Sequence, residues 1–318
     1  MIEWLCDLVV YGFLGLSEDT AFGKACHFFL YDTVKILLLL YLMIAFIGVL
    51  RTYIPQNKIK VWLSRSRYGA GYVMASAFGA LTPFCSCSSI PIFISFLKAG
   101  VPIGPSFSFL VTSPLINEYL TVLMLGFFGW RITAAYVLFG MALGVMSGIL
   151  VNSMHLESEI ESDMKSTDDK AEKLHPRFRD RMAYGMSEAS SIVRKLWLWV
   201  MVGVGIGAVI HGFIPAEAIE SAISATGVFS VPIAALIGIP IYANCSAVVP
   251  IALVLFQKGM PLGTALAFMM ATAALSLPEA VILRRAMKIR LIIAFFGLVA
   301  GGIILIGYVF NFLEKTMV

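Results

Sequence analysis

Six stretches of the chain, around 33–50, 103–128, 132–151, 192–213, 262–283 and 291–312, are apolar over the roughly 20 residues a helix needs to cross a bilayer. Two more, 69–97 and 228–257, are apolar but interrupted by Gly, Pro, Ser, Cys and Asn. A chain of 318 residues that is 59% hydrophobic and 13% charged cannot bury so much apolar surface in water, because a domain of that size leaves too much of it facing solvent. The expected class is an all-α polytopic membrane protein, multi-pass in the cell (plasma) membrane, with the lipid bilayer as its solvent. A net charge of +4 does not point to nucleic acid, since the basic residues gather at helix ends. Five cysteines, all in or beside apolar segments, do not form the pattern of an extracellular disulfide framework.

Shifted by 159 residues, the sequence overlays itself. "SIPIFISFLKAGVPIGPSFSFL" (89–110) falls on "VVPIALVLFQKGMPLGTALAFM" (248–269), so that Pro91 meets Pro250, Gly100 meets Gly259, Pro102 meets Pro261, Gly104 meets Gly263 and Phe109 meets Phe268. Upstream, Gly48 falls on Gly207. The chain is thus expected to consist of two halves of about four segments each.

Lys and Arg of short loops favour the cytoplasm. Loop 51–68 carries Arg51, Lys58, Lys60, Arg65 and Arg67, while its mate 211–227 has no Lys or Arg and carries Glu217 and Glu220. Residues 284–290 include Arg284, Arg285, Lys288 and Arg290, against Arg131 alone near 125–131. Equivalent loops therefore fall on opposite sides, which makes the halves inverted repeats that each cross an odd number of times. Spanning helices plus one broken, re-entrant hairpin per half, at 69–97 and 228–257, satisfy that condition and place 18 of the 23 Lys and Arg inside. The organisation expected is 1–30 as an N-terminal interfacial helix or short extra span, 31–151 as the first membrane repeat, 152–190 as a cytoplasmic linker, and 191–318 as the second repeat. The linker reads as disordered at first, with an amphipathic helix from Arg177 onward that interleaves Phe178, Met182 and Met186 with charges. The first residues lack a basic n-region, so no cleaved signal peptide is expected.

Irregular backbone at membrane depth is tolerated only where protein or a water-lined cavity surrounds it, and inverted-repeat transporters use such breaks to build substrate sites near the midplane. Here the breaks fall at "TPFCSCSSIP" and "IPIYANCSAVVP". Two tips meeting about a pseudo-twofold axis would bring together Cys85, Cys87 and Cys245, with Ser86, Ser88, Ser89, Asn244 and Ser246 as polar neighbours. The helix starting after each break offers unpaired N–H donors and a positive dipole end, which favours thiolate and anionic ligands. Soft thiolates select soft partners such as Cu(I), Zn(II) or trivalent arsenic, so the three cysteines are the candidate metal or metalloid ligands. The plainer alternative is that Cys and Ser at a tip only let helices approach closely. Cys6 and Cys26 are read in that plainer way.

Two acids fall within apolar spans, Glu118 in "SPLINEYL" and Glu279 in "LSLPEAVI", and nearly superpose under the repeat. Intramembrane carboxylates are costly and usually face the protein interior, so both are candidates for proton coupling, with a structural hydrogen bond as the alternative. Asn117 and Ser276 fit either role. Asp32 and Lys35 read as an interfacial pair, and His155 and His175 as isolated loop residues.

The stretches "TPFCSCSSIPIF" with "AGVPIGPSFSFLVTSPLINE", and "YANCSAVVPIALVLFQKGMPLGTALAFMMA" with "LPE", resemble the ArsP/YraQ-type predicted permeases, and the resemblance runs from about 33 to 312. It implies an integral membrane permease. Its characterised members are organoarsenical efflux permeases for trivalent methylated or aromatic arsenicals, which would make Cys85 and Cys87 the thiols of interest and Cys245 a further one. The function expected is secondary efflux of trivalent organoarsenicals or another soft, thiol-reactive small molecule or metalloid, driven by protons through Glu118 or Glu279, with no cofactor and no enzymatic step. Alternatives are a permease for a metal ion or sulfur-containing metabolite, a membrane thiol oxidoreductase using the Cys-Ser-Cys motif, and a passive channel. No phosphate-binding Gly-rich Lys-Ser/Thr motif is present, which argues against ATP hydrolysis by this chain.

Overall fold

A computed structural model describes residues 2–13, 15–17, 20–51, 69–82, 86–98, 100–154, 156–160, 178–213, 227–241, 245–284 and 287–317. Apart from one isolated β-bridge, the regular elements among them are helices: α1 (Ile2–Asp7) running into a π-helical turn (Leu8–Phe13), α2 (Ala21–Arg51), α3 (Ala70–Leu81), α4 (Ser86–Lys98), α5 (Ile103–Leu115), α6 (Glu118–Ser153), α7 (Phe178–Phe213), α8 (Ser230–Gly238), α9 (Cys245–Gln257), α10 (Leu262–Ala274), α11 (Leu277–Leu283) and α12 (Ile289–Met317).

Helix starts recur at the sequence offset. α4, α5 and α6 begin at 86, 103 and 118, and α9, α10 and α11 begin 159 residues later at 245, 262 and 277. As an unbroken rod, the 36 residues of α6 would measure about 54 Å, against an apolar bilayer core of about 30 Å. Gly129, at φ 80° and ψ 172°, breaks it, so a second helical stretch starts at 130 as its mate α12 starts at 289.

The Gly-x-Pro signature has one backbone meaning in both halves. At the end of α4, Val101 N–H donates to Phe96 O and Gly100 N–H to Leu97 O; at the end of α9, Met260 N–H donates to Leu255 O and Gly259 N–H to Phe256 O. This paired closure needs a left-handed residue, which glycine adopts without a Cβ penalty: Gly100 has φ 76° and Gly259 φ 95°. Pro102 and Pro261, with φ −56° each, then start the next helix.

Within the first half, α3 runs alongside α5 in the same direction, since Tyr72 lies by Gly104 and Gly79 lies by Phe109 and Ser113. α4 runs against α5, with Ser89 on Ser113 and Phe96 on Phe109. The chain therefore turns back between α3 and α4. At 12 and 13 residues the two legs are about 18–20 Å long, too short to cross, which is the geometry of a re-entrant hairpin.

Four described stretches are long and apolar enough to cross a membrane: Phe22–Phe46, Glu118–Ser153, Leu262–Leu283 and Ile289–Glu314. Leu262–Leu283 joins α10 to α11 through the irregular pair at 275–276, and 81% of its apolar window is buried, against 25–39% for the other three. It is the central element. Every residue of α5 and of α10 is buried, and these two helices pack on each other at the heart of the molecule.

Around that core, mate helices run in opposite directions. A Cβ on Gly185 of α7 would meet Ala45 O and Val49 of α2, whereas Gly205 lies by Phe29, so α2 and α7 are antiparallel. α6 and α12 are antiparallel too, with Phe139 against Phe310 and Leu143 against Gly302.

The linker departs from expectation at its start. Leu156–Glu159 form a 3-10 turn, Ile160 is buried and pairs with Met287 in an antiparallel bridge, and Lys288 N–H donates to Glu159 O at 2.8 Å. Leu156 and Ile160 are two apolar side chains among acids, too few to register as a pattern, yet enough to pack once the α11–α12 turn presents buried Met287. Phe178, Met182 and Met186 are exposed on the first turns of α7, which continues unbroken to Phe213 rather than forming a separate surface helix. Likewise α2 starts at Ala21, ten residues before the expected repeat boundary.

Candidate functional site

Cys85 and Asn244 lie outside the described residues. Ser86, Cys87 and Ser88 form the first turn of α4, and Cys245 and Ser246 begin α9; their backbone is described and their side chains are not. Both cysteine-bearing segments therefore sit where a helix starts, with N–H groups that have no intrahelical acceptor.

Ser89 is the one member of the expected substrate set whose side chain is described. It is fully buried, and its hydroxyl lies 2.7 Å from that of Ser113 in the last turn of α5. The pair ties the start of α4 to the end of α5, next to the break at 116–117.

That break is satisfied locally. Asn117 caps α6 by accepting the Leu120 N–H at 2.7 Å, and the buried Tyr136 hydroxyl donates to Leu115 O at 3.0 Å, a carbonyl near the end of α5. Ser276 is the N-cap residue of α11 in the second half.

The halves cross over at these breaks. α11, from the second half, packs against α4 of the first, and α6 packs against α9. Glu279, in the first turn of α11, is 2% exposed and so belongs to the protein interior. Glu118 is exposed, at the first position of α6. Helix starts at 118 and 277 make Leu277 the counterpart of Glu118 and buried Leu120 the counterpart of Glu279. The two acids are thus neighbours in sequence alignment but not equivalent in space.

Sequence reasoning passed over Ser76, Thr112, Ser113 and Tyr136, which are buried and hydrogen-bonded around the first-half break. Part of their signal was available at the 159 offset, where Ser76 and Thr112 fall on Ala235 and Ala271 and Tyr136 on Phe295, and it was masked by the ease with which Ser and Thr sit in any membrane helix.

Away from the centre, Cys6 is buried and burial pushes its thiol up, with the Asp7 carboxylate adding to the effect, as suits an inert packing residue. Cys26 is half-buried. Lys35 turns to Tyr31, 3.4 Å from its hydroxyl and over its ring, while Asp32 is buried. His27 stacks between Tyr11 and Tyr31, with Nε2 2.8 Å from Asp7 Oδ1, a contact that docks α1 on α2. Among the described residues no three His, Cys, Asp or Glu side chains converge as metal ligands. His155 and His175 lie outside the described residues.

Residues 21–312 match a family model described as predicted permeases, ArsP_1. A UPF0718 protein of Methanocaldococcus jannaschii is 22% identical over 87% of this chain and 93% of its own length. The UPF0718 protein YcgR of Bacillus subtilis is 27% identical over 36% of this chain and 39% of its own. No solved structure matches. With a helical, multi-pass architecture and a family match over nearly its whole length, the chain belongs to the ArsP_1 family of predicted membrane permeases.

Proposed function

We propose that this permease is a secondary efflux transporter of trivalent organoarsenicals or a similarly soft, thiol-reactive solute, built as two inverted repeats. The solute is held between the two hairpins by Cys85 and Cys87 from one half and Cys245 from the other. Ser86, Ser88, Asn244 and Ser246 supply polar contacts, and Ser89 supports the site through Ser113. A trivalent arsenical with As–OH groups exchanges them for As–S bonds to two thiols and releases two waters; hydrolysis reverses the step on the far side.

The observation that carries the reading is the packing of α11, with buried Glu279, against α4, whose first turn holds Cys87. A carboxylate in a low-dielectric interior can trade its proton against the charge state of its surroundings. Glu279 is therefore the coupling residue in this reading, and exposed Glu118 acts with the dipole at the start of α6. Antiparallel mates α2/α7 and α6/α12 favour the inverted arrangement.

The test is uptake of methylated and aromatic trivalent arsenicals into everted vesicles, with and without a proton gradient. Gradient-dependent uptake is expected, reduced at least about tenfold by Cys85→Ser or Cys87→Ser at equal expression. Undiminished uptake in both variants removes the thiol site.

A further inference from the structure

Both legs of the first-half hairpin are joined to α5 by buried hydroxyl pairs. Ser76 of α3 lies 2.8 Å from Thr112, and Ser89 of α4 lies 2.7 Å from Ser113. Thr112 and Ser113 are adjacent in the last turn of α5, one serving each leg, and all four side chains are buried.

At the same offset of 159, the second half has Ala235, Ala271, Val248 and Thr272. Three of these have no hydroxyl, and Thr272 donates its own to Phe268 O at 2.8 Å within its helix. The second-half hydroxyl pair, Ser230 with Thr264 at 3.0 Å, joins the starts of α8 and α10, far from the break.

Elsewhere the packing of the halves is closely matched. Gly79 meets Phe109 O as Gly238 meets Phe268 O, and Gly104 meets Gly148 and Asn152 as Gly263 meets Gly307 and Asn311. Against that common frame, the first-half hairpin has two hydroxyl pairs at the site end of α5, and the second half has one, at the opposite end of α10.

We propose that the α8–α9 hairpin is the moving gate of this transporter, while the α3–α4 hairpin stays seated on α5 with Thr112 and Ser113 as its positioning residues. The inference rests on the site assigned above and divides it: Cys87, in the first turn of α4, belongs to the fixed element, and Cys245, at the start of α9, to the one that opens. A buried hydroxyl pair shifts a local opening equilibrium by roughly fivefold, so two pairs on the first-half hairpin against one on the second favour the closed first-half hairpin by roughly fivefold. A fixed element facing a movable one captures a solute when the gate closes and weakens its hold when the gate leaves.

Hydrogen exchange on the full chain in lipid nanodiscs tests this without any substrate. Backbone amides of 230–257 should exchange at least about fivefold faster than those of 70–98. Equal rates, or the reverse order, would overturn the proposal and leave the hydroxyls as packing alone. Ala235→Ser combined with Ala271→Thr transplants the first-half pair, and should slow exchange across 230–257 and lower turnover in vesicles. Ser76→Ala with Ser113→Ala should speed exchange across 70–98. A transplant that forms a folded protein of unchanged exchange also overturns it. Should exchange follow expectation while no arsenical is transported, the gate assignment stands and only the substrate reading falls.

Discussion

Leu143 and Gly302, 159 residues apart, touch each other: a Cβ built on Gly302 would run into the Leu143 Cδ1. A residue in contact with its own counterpart lies where a twofold axis would pass. Because α6 and α12 run oppositely there, such an axis crosses the helices rather than running along them, which favours the proposed inversion. Single cysteines at Lys60→Cys and Ile219→Cys should then react with impermeant maleimide from opposite sides of sealed vesicles. Labelling from one side for both would defeat the inverted arrangement.

Glycines at helix contacts should differ in tolerance according to what faces them. A methyl on Gly263 would meet the Gly307 carbonyl and Asn311, backbone and a hydrogen-bonded amide that cannot step aside, whereas a methyl on Gly302 meets the end of a flexible leucine. Gly263→Ala is expected to cost about 1–3 kcal/mol and lower the melting temperature of the detergent-solubilised protein, and Gly302→Ala much less. Thermal melts of the two variants side by side check the ranking.

The linker head should stay on the α11–α12 turn. Paired residues across a β-bridge have Cα atoms about 4.5–5.5 Å apart, within the range a disulfide bridges. Ile160→Cys with Met287→Cys should cross-link under mild oxidant, read as a band after cleavage in the 161–177 segment that remains joined until reductant is added. Separate fragments without reductant would place the linker elsewhere.

Tyr136→Phe removes the hydroxyl that donates to Leu115 O near the broken helix end. Leaving a buried carbonyl without that donor is expected to cost about 1–3 kcal/mol, seen as a lower melting temperature with the same helical circular dichroism at low temperature. An unchanged melt would mean that Leu115 O has another donor.

The two acids should part in function. Glu279→Gln is expected to abolish the dependence of arsenical uptake on a proton gradient, while Glu118→Gln keeps it, since the first acid is buried at the crossover of the halves and the second is exposed. Vesicle uptake with the gradient collapsed by an ionophore separates them. Equal losses would reinstate Glu118 as a partner.

Much of this architecture was legible in the residues. Apolar run lengths marked the spans, and Gly100 with Pro102 and Gly259 with Pro261 announced the same left-handed turn twice, because few residues other than glycine adopt that conformation cheaply. The short, interrupted stretch at 69–97 announced a hairpin for a similar reason, since polar backbone in lipid needs protein around it. Such features are local, and local chemistry decides them.

What depended on tertiary structure was which side chains share an environment. Glu118 and Glu279 look alike in sequence, yet a shift of two positions around a helix turns one outward and buries the other. Ser89, read in the sequence as a solute contact, meets Ser113, and Met287 gained Ile160 from a distant linker. The sequence by itself determined membrane class, segment lengths and the repeat, because these follow from solvent preference and backbone freedom residue by residue. Facing and partnership were settled only by packing, because a helix presents a different neighbour every 100° and only the assembled bundle chooses which neighbour is protein and which is lipid.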